Sequence, residues 1–205
     1  MQELQSLRSP PGKDVAPVPQ VGDRAPSLWP SSEKIGPFPS PRPVLVVFLR
    51  HCGCPFAEKT LGNLTALSIA HPSLHCIAVS HSSQAATDSW VMSVGGAWDV
   101  DVVVDEQRDL YAQWGLGLST AWHAVLGSAS TLYSAYCLGR NEGIWNGATE
   151  SGNRWQMGGA YAIDASGFVR WAHVGAATSD VPDFEEALAA LRRARGTGRG
   201  AGGLP

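Results

Sequence analysis

A chain of 205 residues can bury one substantial core, and a net charge of −3 leaves no electrostatic case for nucleic acid or an acidic membrane surface. Lys and Arg are scattered, no apolar stretch reaches bilayer-spanning length, and MQELQSLRSPPGKD at the start lacks the apolar core of a signal peptide, so a soluble, cytoplasmic protein with no membrane partner is expected. Four cysteines in a chain this long do not make a disulfide framework, and in a reducing compartment they read as free, catalytic or metal-binding.

Residues 1–42 hold nine prolines and little apolar periodicity, which predicts an extended or disordered arm over 1–20, with order beginning near Val21. Val44 to Leu49 is an unbroken apolar run rich in β-branched residues, suited to a central strand covered on both faces. Pro55 fits the first turn of a helix running to Ala70, with Leu61, Leu64 and Leu67 as its apolar stripe. A strand over His75 to Ser80, a helix from Ser82 to Val94, a strand over Asp99 to Val104 and a short helix from Glu106 to Trp114, stopped by Gly115, continue an alternating pattern. That alternation implies an α/β sheet with crossover connections. Residues 118–156 have no clean period and are too long for an ordinary connection, so they are expected to be a partly helical insertion that covers something. Gly159 to Asp164 and Phe168 to His173 flank a short turn and read as an antiparallel hairpin. A last helix from Val181 to Arg195, with Asp180 as N-cap and a stripe of Phe184, Leu188 and Leu191, precedes a glycine-rich tail over 196–205.

The chemistry is expected where the first strand meets the first helix. Pro55 at the first helical turn puts Cys54 at or beside the N-cap, where unpaired amides and the positive end of the helix dipole favour a thiolate. Arg50 and His51 add neighbouring groups able to carry positive charge, so Cys54 is the expected nucleophile with Arg50 and His51 beside it. The competing reading makes Cys52 and Cys54 small buried residues at a strand end. Glu58, in the first turn, is either a base or a complement to the helix dipole. A zinc site from His51, Cys52 and Cys54 would need further ligands such as His81 or Cys137, and without a second paired motif no metal or other cofactor is expected.

Four segments, VGDRAPSL at 21–28, VVFLRHCGCPFAE at 46–58, VVVDEQRDLYAQWGLG at 102–117 and MGGAYAIDASGFVRWAHVG at 157–175, together resemble the thioredoxin-like, peroxiredoxin-like group of AhpC/TSA-type antioxidant proteins. The resemblance spans residues 21–195 and implies a thioredoxin-like fold, α/β with a central mixed sheet, a peroxiredoxin-like elaboration and the 118–156 insertion. It implies a thiol-dependent peroxidase or related oxidoreductase acting on a peroxide with Cys54, recycled by a thiol reductant of glutathione or thioredoxin type. The departures are specific. Ala57 stands where a thioredoxin-type site has its second cysteine, His51 stands where peroxiredoxins have a threonine, and GNRWQMGGAY lacks the usual proline before the fourth strand. Arg154 is the stand-in for the peroxiredoxin arginine that supports the thiolate. Cys137, in the insertion, and Cys52 are the candidate resolving thiols, while Cys76 reads as core.

Trp114, Trp122, Trp145 and Trp155 gather around the insertion; Trp114, Trp122 and Trp155 are candidates to line a pocket for a small organic substrate. That feature supports an alternative, a tailoring enzyme in a small-molecule (secondary metabolite) pathway without peroxide chemistry. A third reading is a degenerate thioredoxin-like module that binds a partner or self-associates as a homodimer.

Overall fold

The computed structural model describes residues 12–27, 40–119, 128–145, 147 and 151–199. Trp122, residues 1–11 of the N-terminal arm, most of the glycine-rich tail and parts of the insertion lie outside the described residues.

Five strands form one mixed sheet: β1 (Val44–Phe48), β2 (His75–Ser80), β3 (Val100–Val104), β4 (Gly159–Ile163) and β5 (Val169–Val174), in the order β3-β2-β1-β4-β5. β1 runs parallel to β2 with Val47 opposite Ala78, and antiparallel to β4 with Val47 opposite Ala160. β2 and β3 are parallel, whereas β4 and β5 form the antiparallel hairpin. All five residues of β1 are buried, as an apolar run with cover on both faces requires.

Alternation of side chains along β1 divides the core in two. Leu45, Val47 and Leu49 join one cluster with Leu61, Leu64 and Leu67 of α1 (Pro55–Ala70) and Phe184, Leu188 and Leu191 of the final helix. Trp90, Val91 and Val94 of α2 (Gln84–Ser93) and its C-terminal edge pack against the same cluster. Val44, Val46 and Phe48 join the other, built on Leu110 and Tyr111 of α3 (Asp109–Gln113), Trp114, Leu116 and Tyr161.

Helix starts depart from expectation where a side chain supplies the cap. α2 begins at Gln84, not Ser82, because Ser83 caps it by accepting from the Ala86 amide at 3.3 Å. α3 begins at Asp109, not Glu106, because the Asp105 carboxylate accepts the amides of Asp109, Leu110 and Tyr111 at 3.0, 2.8 and 3.2 Å, with Arg108 in left-handed conformation between them. α5 (Phe184–Arg199) starts three residues later than Val181. Asp183 sits at that start and accepts from the Glu185 amide at 2.9 Å, while Asp180, expected as the cap, accepts from Ala176 at 2.9 Å and pairs with His173.

The insertion is partly helical, with α4 (Ser128–Glu142) tied to α1 by a Lys59–Glu142 ion pair. The described chain lies against the domain from well before Val21. Lys13 pairs with Asp109, and the Ala16 amide donates to the Ala112 carbonyl at 2.9 Å. No helix among the described residues is long and apolar enough to cross a membrane.

Candidate functional site

β1 delivers its chain end to a tight loop, Arg50 to Gly53, before α1. Gly53 makes that loop: its φ of 89° is the left-handed region that side chains resist. Cys54 follows as the N-cap residue, in extended conformation, and its side chain makes no capping bond, so its sulfur stands at the positive end of a 16-residue helix.

Arg50 is the charge that reaches this sulfur. Its Nη1 lies 3.6 Å from Cys54 Sγ, the same nitrogen donates to the Thr178 carbonyl at 3.4 Å, and Nη2 donates to the Arg154 carbonyl at 2.6 Å. A planar guanidinium held by two carbonyls thus sets a fixed positive charge and an N–H donor against the sulfur. Arg154, expected as the supporting cation, also fixes Arg50 through its backbone carbonyl, and its charge helps lower the pKa of His51.

His51 does not carry the positive charge its position suggested. It is buried, its Nδ1 donates to the Cys52 carbonyl at 3.0 Å, and burial with Arg50 nearby pushes its pKa down to about 3. The ring is neutral at physiological pH, so it adds no positive charge to Cys54. His81, also buried and pushed down to about 4 chiefly by burial, meets the Asn153 backbone, 3.0 Å from its N and 3.1 Å from its O.

These two depressed histidines set an acid limit on stability. Each is neutral when folded but free to protonate near 6.5 when unfolded, so the unfolded chain gains protons first as pH falls. Stability is fully present above 6.5 and declines toward pH 4 by up to about 1.4 kcal/mol per pH unit per histidine. Denaturant titrations at half-unit intervals should show this slope, and His51→Asn or His81→Asn should each flatten it whatever their absolute stability.

Cys52, two residues from Cys54, faces a separate hydroxyl cluster. Its Sγ lies 3.8 Å from Ser80 Oγ and 4.0 Å from Thr87 Oγ1, and its amide donates to Ser82 Oγ at 3.3 Å. All four cysteines are free thiols. Cys76 is in the core, and burial pushes its thiol up to about 12. Cys137 is half-buried on α4, whose Ala135 and Leu138 pack against the cluster that contains Cys54. Among the described residues no group of three metal-ligating side chains occurs.

The end of the insertion straps this loop down. The Gly147 amide donates to the Gly53 carbonyl at 2.9 Å, Ser82 Oγ donates to the Ser151 carbonyl at 3.1 Å, and the Ser83 amide donates to Ser151 Oγ at 2.5 Å. Gly152 is required where the strap crosses, since a Cβ there would stand 2.7 Å from Ser82 Oγ at a φ of +90°. Cys54, in the core cluster with Phe56 and Ala57, is only 3% exposed.

The tryptophans expected to line a pocket differ in burial. Trp114 is fully buried in the core, 5.6 Å from Phe48 and 5.0 Å from Tyr161 between ring centroids, so it is a packing residue and lines no substrate pocket. Trp155 is half-buried in the strap, where its carbonyl accepts from the Ser119 amide at 2.6 Å, and Trp145 is exposed. Sequence reasoning missed Thr178, which is distant in the chain and acts through its carbonyl, and the Ser80, Ser82 and Thr87 hydroxyls around Cys52. The available signal was Ser80-His81-Ser82 at the carboxyl end of a parallel strand, where open α/β sheets place their sites.

A family model described as AhpC/TSA antioxidant enzyme matches residues 61–177, more than half of the chain, and the chain belongs to that family. The match begins after Cys54, so the thiol lies outside it. Among solved structures, a peroxiredoxin-like protein from Aquifex aeolicus is 14% identical with a TM-score of 0.62 over 87% of this chain and 90% of that one. A thiol peroxidase from Chromobacterium violaceum is 18% identical with a TM-score of 0.59, over 88% of this chain and 91% of its own. A yeast mitochondrial one-cysteine peroxiredoxin is 10% identical with a TM-score of 0.57, over 88% and 78%. At these identities the likeness shows the thioredoxin-like fold alone. No curated protein matches the sequence.

Proposed function

We propose that the protein is a thiol-dependent peroxidase with Cys54 as its nucleophile. The Cys54 thiolate attacks one oxygen of a hydroperoxide, the O–O bond breaks, and hydroxide or alkoxide leaves and takes a proton to become water or alcohol. Cys54 is oxidised to a sulfenic acid, which a thiol then reduces with loss of water. Ala57 leaves no dithiol partner in the helix, so that thiol comes from outside, from a glutathione- or thioredoxin-type reductant, or from Cys137.

The observation that carries this reading is the Arg50 guanidinium 3.6 Å from a sulfur at a helix N-cap. Family membership supports it, as does likeness in fold to a thiol peroxidase and to a one-cysteine peroxiredoxin described as resolved through glutathione/thioredoxin systems. Burial of Cys54 to 3% exposure favours a second reading, the degenerate binding module, in which the thiol is inert core. Stopped-flow mixing with hydrogen peroxide and an alkyl hydroperoxide decides between them. The peroxidase reading expects a fast phase that Cys54→Ser abolishes; a native protein no faster than free cysteine sinks it.

A further inference from the structure

Cys52, 4% exposed, borders a space that Cys54 does not line. A groove of about 370 Å³ runs between the start of α1 and α2, bounded by Cys52, Gly53, Glu58, Ser89, Trp90 and Val94 among others. Among the described residues, neither Arg50 nor any other basic residue lines it.

Its charge preference follows from two side chains. The Glu58 carboxylate pairs with no described residue, and partial burial raises its pKa, the mark of a carboxylate that the surrounding protein leaves uncompensated. Trp90 adds an aromatic ring, whose face attracts cations. A cation in the groove gains from both. An anion meets an unpaired carboxylate.

Two hydroxyls stand near the Cys52 sulfur. Ser80 Oγ lies 2.9 Å from Thr87 Oγ1 and 3.8 Å from Cys52 Sγ, so its hydrogen can turn from the threonine to the sulfur once the thiol is deprotonated. The Ser82 amide donates to Ser80 Oγ at 3.3 Å and polarises that hydroxyl.

We propose that this groove binds a small disulfide bearing an ammonium group and that Cys52 exchanges with it. The Cys52 thiolate attacks one sulfur, a new S–S bond forms, and the original S–S bond breaks. Cys52 is oxidised into a mixed disulfide, and the departing sulfur is reduced and leaves as an aminothiolate that takes up the proton Cys52 released. The disulfide is itself the oxidant. This chemistry is independent of peroxide reduction at Cys54.

The test uses the full chain at neutral pH and low salt with three disulfides of similar size: cystamine (cationic), hydroxyethyl disulfide (neutral) and dithiodipropionate (anionic). Peptide mapping follows mixed-disulfide formation at Cys52, normalised to Cys137. We expect cystamine to exceed dithiodipropionate by about tenfold at Cys52, the scale of one partly screened charge pair. Glu58→Gln should bring the two within about twofold, and Cys54→Ser should leave the preference intact. Equal rates for all three reagents, or a cationic preference that survives Glu58→Gln, overturns the proposal. Neither result bears on the peroxide reaction, which is read at Cys54.

Discussion

Replacing Arg50 by methionine is expected to slow peroxide oxidation of Cys54 by about 10²–10³-fold, the usual cost of removing one donor aimed at the developing charge. Methionine keeps the aliphatic stem and removes the guanidinium, with its contact to Cys54 Sγ and its bonds to Thr178 and Arg154. Arg50→Lys restores charge but not the planar fork, so it should recover only part of the rate. The rate constant from the fast stopped-flow phase is the readout. His51→Asn supplies the contrast: the imidazole is neutral, so loss of its charge cannot be the source of a comparable fall. A His51 effect equal to that of Arg50 would transfer the thiolate-stabilising role to the histidine.

Trp114→Ala is expected to destabilise the fold by about 3–5 kcal/mol, the range for emptying a large aromatic site in a packed core. For a chain of this size that corresponds to a fall in Tm of roughly 6–20 °C. Trp114 is 0% exposed and touches Phe48 and Tyr161, while its carbonyl accepts the Tyr161 hydroxyl at 2.8 Å. Its indole N–H finds no hydrogen-bond partner among the described residues, so Trp114→Phe should cost far less. A folded Trp114→Ala protein with an unchanged Tm but a raised KM would return the residue to a substrate pocket.

The fold was legible because its strongest signals are local. The β-branched apolar run at Val44–Phe48 suits a covered strand, and Pro55 marks the start of α1 to the residue. Helix starts were less legible where an aspartate or serine could serve at several neighbouring positions. Asp180 and Asp183 both look like caps in sequence, and only the loop that turns Asp180 toward Ala176 and His173 separates them. The site was legible in part. Helix geometry marks Cys54, but neighbours along a strand face opposite sides, so alternation does not say which way Arg50 points. The loop after β1 turned it toward the sulfur, where two carbonyls from residues more than a hundred positions away hold it. His51 misleads because sequence shows an imidazole beside a thiol but not the burial that keeps it neutral. Trp114 misleads for a related reason: aromatic residues crowd both cores and pockets, and only packing distinguishes them.

The most direct test of the central claim is to trap the product at its atom. The native protein, fully reduced, is mixed with one equivalent of hydroperoxide in the presence of a dimedone-type probe, and the labelled peptide is identified by mass spectrometry at several early times. The label should appear first on Cys54, ahead of Cys52 and Cys137, and should disappear when a glutathione- or thioredoxin-type reductant is supplied before the probe. First labelling at Cys52 or Cys137, or labelling of Cys54 no faster than that of free cysteine, would contradict the claim.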